Sequence, residues 1–151
     1  MKRFRFPLRP VAVLRAHQET RAREAFAAAV HQFAEAEETL ARVRVRLRAL
    51  EAALFSGRSD TFRAAEAALL LADYRRECAG EVQAERATFA AREQMQQRRN
   101  EYLEAHRKVE VVNRLEQKAR TAYRQECDRE EAAEMDDLAS RRRARPLSLS
   151  L

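Results

Sequence analysis

The stretch from Phe26 to Leu54, FAAAVHQFAEAEETLARVRVRLRALEAAL, decides the fold that we predict for this chain. Its apolar residues follow one another at alternating steps of three and four. They are Phe26, Ala29, Phe33, Ala36, Leu40, Val43, Leu47, Leu50 and Leu54. A repeat of 3.5 residues keeps one stripe of a helix facing a partner helix, so this pattern predicts a coiled coil.

Residues that interrupt helices are nearly absent from the chain. Between Pro10 and Pro146 the only glycines or prolines are Gly57 and Gly80. An interior glycine costs a helix roughly 1 kcal/mol and an interior proline roughly 3 kcal/mol, so their absence permits very long helices. The chain has no Trp and 36% charged residues, and much of its apolar content is alanine, which suits a narrow seam between helices better than a wide core.

Gly57 lies in the segment FSGRSDTF, where it predicts a helix C-cap, and Ser59 or Asp60 predicts the next N-cap. We therefore predict an all-α fold, a long antiparallel two-helix coiled-coil hairpin with a longer C-terminal arm, as one domain over residues 1–151. Its predicted parts are helix 1 at about 8–55, a turn at 56–59, helix 2 at about 60–142 and a basic tail at 143–151.

The second arm has a less regular apolar pattern than the first. Leu69, Leu70, Leu71 and Tyr74 form a patch just after the turn. A second seam runs through Ala84, Thr88, Ala91, Met95, Tyr102, Ala105, Val109 and Val112. The register slips between the two, which predicts a kink or a short break near Gly80.

The two arms have unequal lengths. A first helix of this length, folded back through the turn, reaches only to about residue 108 of its partner. Residues 109–142 are therefore predicted to project beyond the hairpin as a single helix. At the other end, Pro7 and Pro10 fit the first turn of helix 1, where N–H groups lack internal partners. Phe4 and Phe6 precede the seam and can pack on that first turn or on the projecting arm.

The charge is basic but mostly balanced. The net charge is +6, from 30 Lys and Arg against 24 Asp and Glu. Residues 1–56 hold 11 basic and 6 acidic residues, and the rest of the chain holds 19 and 18. Basic clusters at Arg42–Arg48 and Arg141–Arg145 leave nucleic-acid binding open as an alternative, but no aromatic stacking platform accompanies them, so a solvated face is favoured.

No pattern of residues predicts catalysis. His17, His31 and His106 are scattered, and Cys78 and Cys127 lie far apart, as expected of reduced thiols in the cytoplasm. With two glycines in all, a glycine-rich phosphate loop is excluded. We predict a protein that is not an enzyme and has no cofactor or metal. The sequence shows neither a signal peptide nor an apolar run long enough for a membrane span.

Both ends of the chain resemble the flagellar export protein FliJ family. The resemblance rests on FRFPLRPVAVLRAHQETRAREAFA at 4–27 and HRKVEVVNRLEQKARTAYRQECDREEAAEMDDLASRR at 106–142. It implies a stalk similar to the γ subunit of rotary ATPases, placed at the cytoplasmic face of the inner membrane with the flagellar export apparatus. The implied partners are a FliI-type hexameric ATPase, the cytoplasmic domain of an FlhA-type export gate and export chaperones. Nucleic acid is not among them, and membrane association is at most peripheral.

The resemblance also implies two sets of contact residues. The candidates for the ATPase ring are Phe4, Phe6, Leu8, Val109, Val112, Leu115 and Tyr123. The candidates for the export gate are Arg44, Leu47, Arg48, Leu50, Leu70, Leu71 and Tyr74. The segment AALLLADYRREC is richer in alanine and leucine than the aromatic middle region of the family. This departure concerns the gate contact, because the segment holds Leu70, Leu71 and Tyr74. Two alternatives stay open: the equivalent stalk of a virulence type III secretion system, and a coiled-coil adaptor that homo-oligomerises.

Overall fold

The computed structural model describes residues 3–56 and 64–144. These residues form two helices, α1 at Arg9–Ser56 with 48 residues and α2 at Ala64–Ala144 with 81 residues, and no strand. The predicted all-α helical hairpin with a longer C-terminal arm is confirmed. The predicted turn lies outside the described residues apart from Ser56, which ends α1, and so do residues 60–63 and 145–151.

Contacts between α1 and α2 show that the two helices are antiparallel. Arg46 reaches Glu77, Arg44 reaches Glu81 and Glu85, and the ring of Phe26 stacks on that of Tyr102 with 6.2 Å between centroids. Residues nearer the start of α1 therefore contact residues nearer the end of α2, as in an antiparallel pair. Both helices run through two compact units, unit 1 (Met1–His17 and His106–Leu151) and unit 2 (Gln18–Ala105).

In unit 2, α1 buries the residues that its heptad pattern predicts. Ala29, Val43 and Leu47 are only 4%, 5% and 7% exposed. The remaining residues of the predicted stripe are all half-buried, namely Phe26, Phe33, Ala36, Leu40, Leu50 and Leu54. We call the buried and half-buried residues at this 3,4 spacing, on either helix, seam residues. The prediction of a continuous apolar stripe on α1 is confirmed.

On α2 the seam does not slip near Gly80. The helix is continuous there, and half-buried residues keep the 3,4 spacing through Tyr74, Glu77, Glu81, Ala84 and Thr88. The predicted break is wrong because two seam positions carry glutamates, which an apolar pattern cannot detect. A Cβ added to Gly80 would meet nothing within 4 Å, so this glycine serves neither a turn nor a close approach.

In unit 1 the start of the chain packs on the second helix. The rings of Phe4 and Tyr123 lie 5.5 Å apart, Val112 is 8% exposed, and half-burial on α2 continues to Cys127. The prediction that residues 109–142 project beyond the hairpin is therefore wrong for 109–127. The prediction paired residue 8 of helix 1 with about residue 108 of helix 2, whereas Phe4, only four residues earlier, contacts Tyr123.

Every described side chain from Asp128 to Arg143 is exposed. We call residues 128–143 the terminal segment. Its residues belong to α2, so its backbone hydrogen bonds are satisfied within the helix. Half-burial on α2 ends at Cys127, and the terminal segment is the part of the predicted projection that remains.

Residues 6–12 define how α1 begins. The Arg9 N–H donates to the Phe6 carbonyl at 3.2 Å, and the Ala12 N–H donates to the Leu8 carbonyl at 2.9 Å. Pro10 is the second residue of α1, where its missing N–H costs no hydrogen bond. None of the helices formed by the described residues is long and apolar enough to cross a membrane.

Candidate partner-binding surfaces

The surface beside the seam has two sides, which the ion pairs of unit 2 identify. Arg44 directly follows the seam residue Val43, Glu85 directly follows the seam residue Ala84, and the Arg44 Nη2 lies 2.7 Å from the Glu85 Oε1. Residues that follow a seam residue therefore share one side of the helix pair. We call this side the following flank. Residues that precede a seam residue lie on the opposite side, the preceding flank.

The following flank of unit 2 is apolar. Most of the exposed large apolar side chains of this unit lie on it: Val30, Phe55, Leu71, Val82, Phe89 and Leu103. Among the described residues of unit 2, the preceding flank carries only Leu69 from that class. Single exposed apolar residues are ordinary, but a row confined to one side of a helix pair is typical of a binding surface.

Arginines accompany this apolar row. Arg48, Arg75, Arg92 and Arg99 also follow seam residues, and none forms an ion pair with another described residue. A shallow groove on the same flank includes Ala41 and Arg44 of α1 and Thr88 of α2. The flank thus offers apolar contacts, uncommitted guanidinium groups and a groove to a partner that carries acidic and apolar side chains.

The structure divides the residues predicted to contact the export gate. Leu47 is buried, and Leu50, Leu70 and Tyr74 are half-buried in the seam. Arg44 donates hydrogen bonds to the carboxylates of Glu81 and Glu85, and the bond that it donates to Glu81 is the main cause that raises the pKa of Arg44. Arg48 and Leu71 are the two that are exposed on the following flank without an ion pair.

A cluster around Phe4 holds the start of the chain on α2 in unit 1. The Arg120 guanidinium carbon lies 5.7 Å from the centre of the Phe4 ring, and Arg120 Nη2 donates to the Glu116 Oε1 at 2.7 Å. Together with the Phe4–Tyr123 contact, these interactions combine aromatic packing with a cation–π geometry. Sequence analysis named Phe4 and Tyr123 but missed Arg120, because a single arginine in a charged helix gives no signal.

The residues predicted to contact the ATPase ring also differ in exposure. Leu8 and Leu115 are exposed, Val112 is buried, and the others are half-buried, namely Phe4, Phe6, Val109 and Tyr123. Leu115 belongs to an apolar row on the preceding flank of unit 1. The row consists of Val11, Leu14, Val111 and Leu115. Its other members were missed, in part because the predicted stripe of α1 begins only at Phe26 and because Leu14 adjoins a polar seam residue, Arg15.

The chain repeats a tyrosine–cysteine pair, which sequence analysis also missed. The motif Y-R-x-E-C begins at Tyr74 and again at Tyr123, seven heptads later. The pKa of Tyr74 is raised to about 12, mainly by a hydrogen bond with Cys78 and next by the hydrogen bond to Glu51. A hydrogen bond with Cys127 likewise raises the pKa of Tyr123. Both tyrosines are seam residues, so the repeat places a polar contact at matching heptad positions.

Within residues 3–56 and 64–144, no group of three or more histidine, cysteine, aspartate or glutamate side chains could hold a metal ion. The surfaces described above offer packing and charge rather than reactive groups. They are suited to binding other macromolecules.

Comparison with known proteins gives one match. A family model described as Flagellar FliJ protein matches residues 4–148. No curated protein and no solved structure matches the chain. The family match takes in both helices and includes Phe4, the flanks and the terminal segment.

Proposed function

The chain belongs to the flagellar FliJ family, and from this premise we propose that it is the stalk of the export ATPase. The family gives it a role related to flagellar protein export, as a component that is not catalytic. In this proposal unit 1 enters a hexameric ATPase ring and promotes its assembly and turnover. Unit 2 contacts the export gate at the cytoplasmic face of the inner membrane, with export chaperones as further partners.

The terminal segment is the observation that carries this proposal. It is a helix in which every described side chain is exposed, so the described residues leave its whole circumference available to a surrounding partner. Elsewhere in unit 1, the row of Val11, Leu14, Val111 and Leu115 adds an exposed apolar surface. A helix end of this kind suits insertion into a ring better than docking on a flat surface.

The following flank of unit 2 is the proposed contact for the gate. Its apolar row replaces the seam residues that the sequence suggested, since a seam residue cannot leave α1 and α2 to bind elsewhere without opening the hairpin. We assign the contact to Leu71, Val82 and Phe89, with Arg48 among the guanidinium groups that add charge complementarity.

Truncation tests the ring contact. Removing residues 128–151 takes away the terminal segment but leaves the Phe4–Tyr123 contact and the seam up to Cys127. We expect the truncated protein to keep its helicity by circular dichroism and to lose stimulation of its cognate ATPase in a turnover assay. Removing residues 145–151 alone is the matched control. Equal stimulation by the two truncated proteins would show that the terminal segment does not act on the ring.

Phe89 and Leu69 provide a matched pair for testing the gate contact. They are 66% and 68% exposed, and they lie on opposite flanks of unit 2. We expect Phe89→Ser to weaken binding to the cytoplasmic domain of the gate about tenfold or more in calorimetry, as a central apolar contact does, and Leu69→Ser to leave it unchanged. The reverse result would move the gate contact to the preceding flank.

A further inference from the structure

Acidic residues occupy part of the seam of unit 2. Glu77 and Glu81 are seam residues whose side chains are 27% and 30% exposed. Arg46 Nε donates to the Glu77 Oε2 at 3.2 Å, and Arg44 Nε donates to the Glu81 Oε1 at 3.0 Å. Arg44 also reaches Glu85, at 2.7 Å. The two helices are therefore joined here by ion pairs in addition to the apolar packing of Val43 and Leu47.

The glutamates belong to a row with a constant step. Asp73, Glu77, Glu81 and Glu85 succeed one another every four residues along α2, and we call them the acidic ladder. Residues four apart form a continuous ridge on a helix. Asp73, the first member of the ladder, is paired within α2 with Arg76, at 3.4 Å, and makes no described contact with α1. The ladder thus has one carboxylate more than the arginines of α1 use.

This spare carboxylate defines a second arrangement of the same ion pairs. If α1 moves along α2 by one step of the ladder, about 6 Å at 1.5 Å per residue, Arg44 faces Glu77 and Glu81. Arg46 then faces Asp73. A shift by a whole heptad is different, because Arg44 would face Tyr74 and Cys78, or Thr88 and Arg92. After the short step Arg44 and Arg46 again face carboxylates of the ladder, whereas after a heptad shift Arg44 faces none.

Part of the seam in unit 2 consists of small residues that define the register weakly, although Phe33, Val43 and Leu47 also belong to this seam. Many of its layers carry alanine, at positions 29, 36, 84, 91 and 105. Small side chains pack similarly against successive layers, so polar pairs determine register in such a seam. The short step does give up the Phe26–Tyr102 stacking, the Tyr74–Glu51 hydrogen bond and the hydrogen bond that the Thr88 hydroxyl donates to the Ala36 carbonyl. The described register is therefore the more populated one.

We propose that unit 2 has two registers, in which α1 steps along α2 and Arg44 and Arg46 exchange carboxylates of the acidic ladder. The inference does not rest on the proposed function, because it concerns contacts within the hairpin alone. A partner shifts such an equilibrium only if it binds the two registers unequally. The following flank is formed by both helices, so a step changes which residues of α1 and α2 lie side by side on it.

Distances between two spin labels measure the register. Cys78→Ser and Cys127→Ser remove the native thiols, and Ala28→Cys with Ala79→Cys places one label on an exposed position of each helix. Tyr102, the partner of Phe26, lies far along α2 from Ala79, so a step toward Ala79 shortens the label distance by about 6 Å. Electron–electron double resonance should show the described distance and a second population at the shorter one.

Two substitutions distinguish the registers. Glu85 takes part only in the described register, and Asp73 only in the second. We expect Glu85→Gln to increase the shorter population about two- to fivefold, the effect of removing one partly exposed ion pair. Adding Asp73→Asn to Glu85→Gln should reverse that increase.

A single distance that Glu85→Gln leaves unchanged would overturn the proposal. It would also be overturned if Glu85→Gln only broadened the distribution and Asp73→Asn did not reverse the change, since that result indicates fraying rather than a step.

Discussion

Unit 1 and unit 2 are built from the same two helices, but they place their exposed apolar residues differently. In unit 2 these residues mostly follow seam residues, as Val82 and Phe89 do, whereas in unit 1 Val11 and Leu115 precede them. Charge differs as well. Unit 1 has 16 basic and 9 acidic residues, and unit 2 has 14 and 15. One heptad repeat can therefore support two distinct binding surfaces, because the seam leaves both flanks open to variation.

The seams of the two units also differ in what holds them. Unit 2 buries Ala29, Val43 and Leu47 and adds ion pairs between the helices. In unit 1, Val112 is the only described residue in the buried class, at 8% exposure, and the Phe4 cluster supplies the aromatic contact. We therefore expect unit 2 to account for most of the stability, and unit 1 to open more readily. Four measurements test or refine this difference.

The largest effect is expected in unit 2. Leu47→Ala removes a side chain that is 7% exposed and leaves a cavity between the helices, so we expect the free energy of unfolding to fall by about 3 kcal/mol. Val45→Ala is the control, since Val45 is 63% exposed, and its effect should stay within about 0.5 kcal/mol. Urea unfolding followed by circular dichroism gives both values. Similar losses in the two variants would contradict the assigned seam.

A smaller effect is expected in unit 1. Phe4→Ala removes the contacts of the ring with Tyr123 and Arg120, which should weaken the packing of unit 1 by about 1 kcal/mol. Amide hydrogen exchange should accelerate in residues 9–17 and 109–123 and stay unchanged around Leu47. Arg5→Ala, at an exposed neighbouring position, is the control. Acceleration throughout the chain would show that the two units do not open separately.

A stabilising change is expected at Gly80. The residue is helical and has open space around the position of a Cβ, so Gly80→Ala should raise the free energy of unfolding by roughly 0.5–1 kcal/mol. The gain comes from reduced freedom of the unfolded chain and from better helix propensity. The same urea experiment measures it. A loss of stability would indicate that the chain needs a glycine at this point in unit 2.

The smallest effect is expected from alkaline pH. The pKa of Tyr74 is raised from 10.0 to about 12 in the folded protein, so its neutral form favours folding. This contribution is complete below pH 10 and is lost as the pH rises to 12 and beyond. The chain has three tyrosines and no Trp, so absorbance of tyrosinate reports their titration. Tyr74→Phe should remove a component that titrates near pH 12. If Tyr74→Phe instead removed a component that titrates near pH 10, the contacts of Tyr74 with Cys78 and Glu51 would be contradicted.

Which of the predicted contact residues are exposed depends on the register of the two helices, which the sequence did not supply. Leu71 and Arg48 were named for the gate and are exposed, but Leu47 was named with them and is buried. The heptad pattern of α1 places Leu47 in the seam but does not say which flank of the pair a partner would meet. Sequence analysis did not name Phe89 as a candidate for the gate contact. A single phenylalanine does not indicate a binding surface until the other residues on its flank are known.

The sequence by itself determined the two long helices and the seam of α1, because helix propensity and heptad spacing are properties of neighbouring residues. It also determined the family resemblance, through the segments at each end. The tertiary structure alone decided the register, the place of Glu77 and Glu81 in the seam and the packing of Phe4 on Tyr123. A glutamate in a seam becomes stable only when an arginine of the other helix reaches it, and that pairing joins residues far apart in the chain.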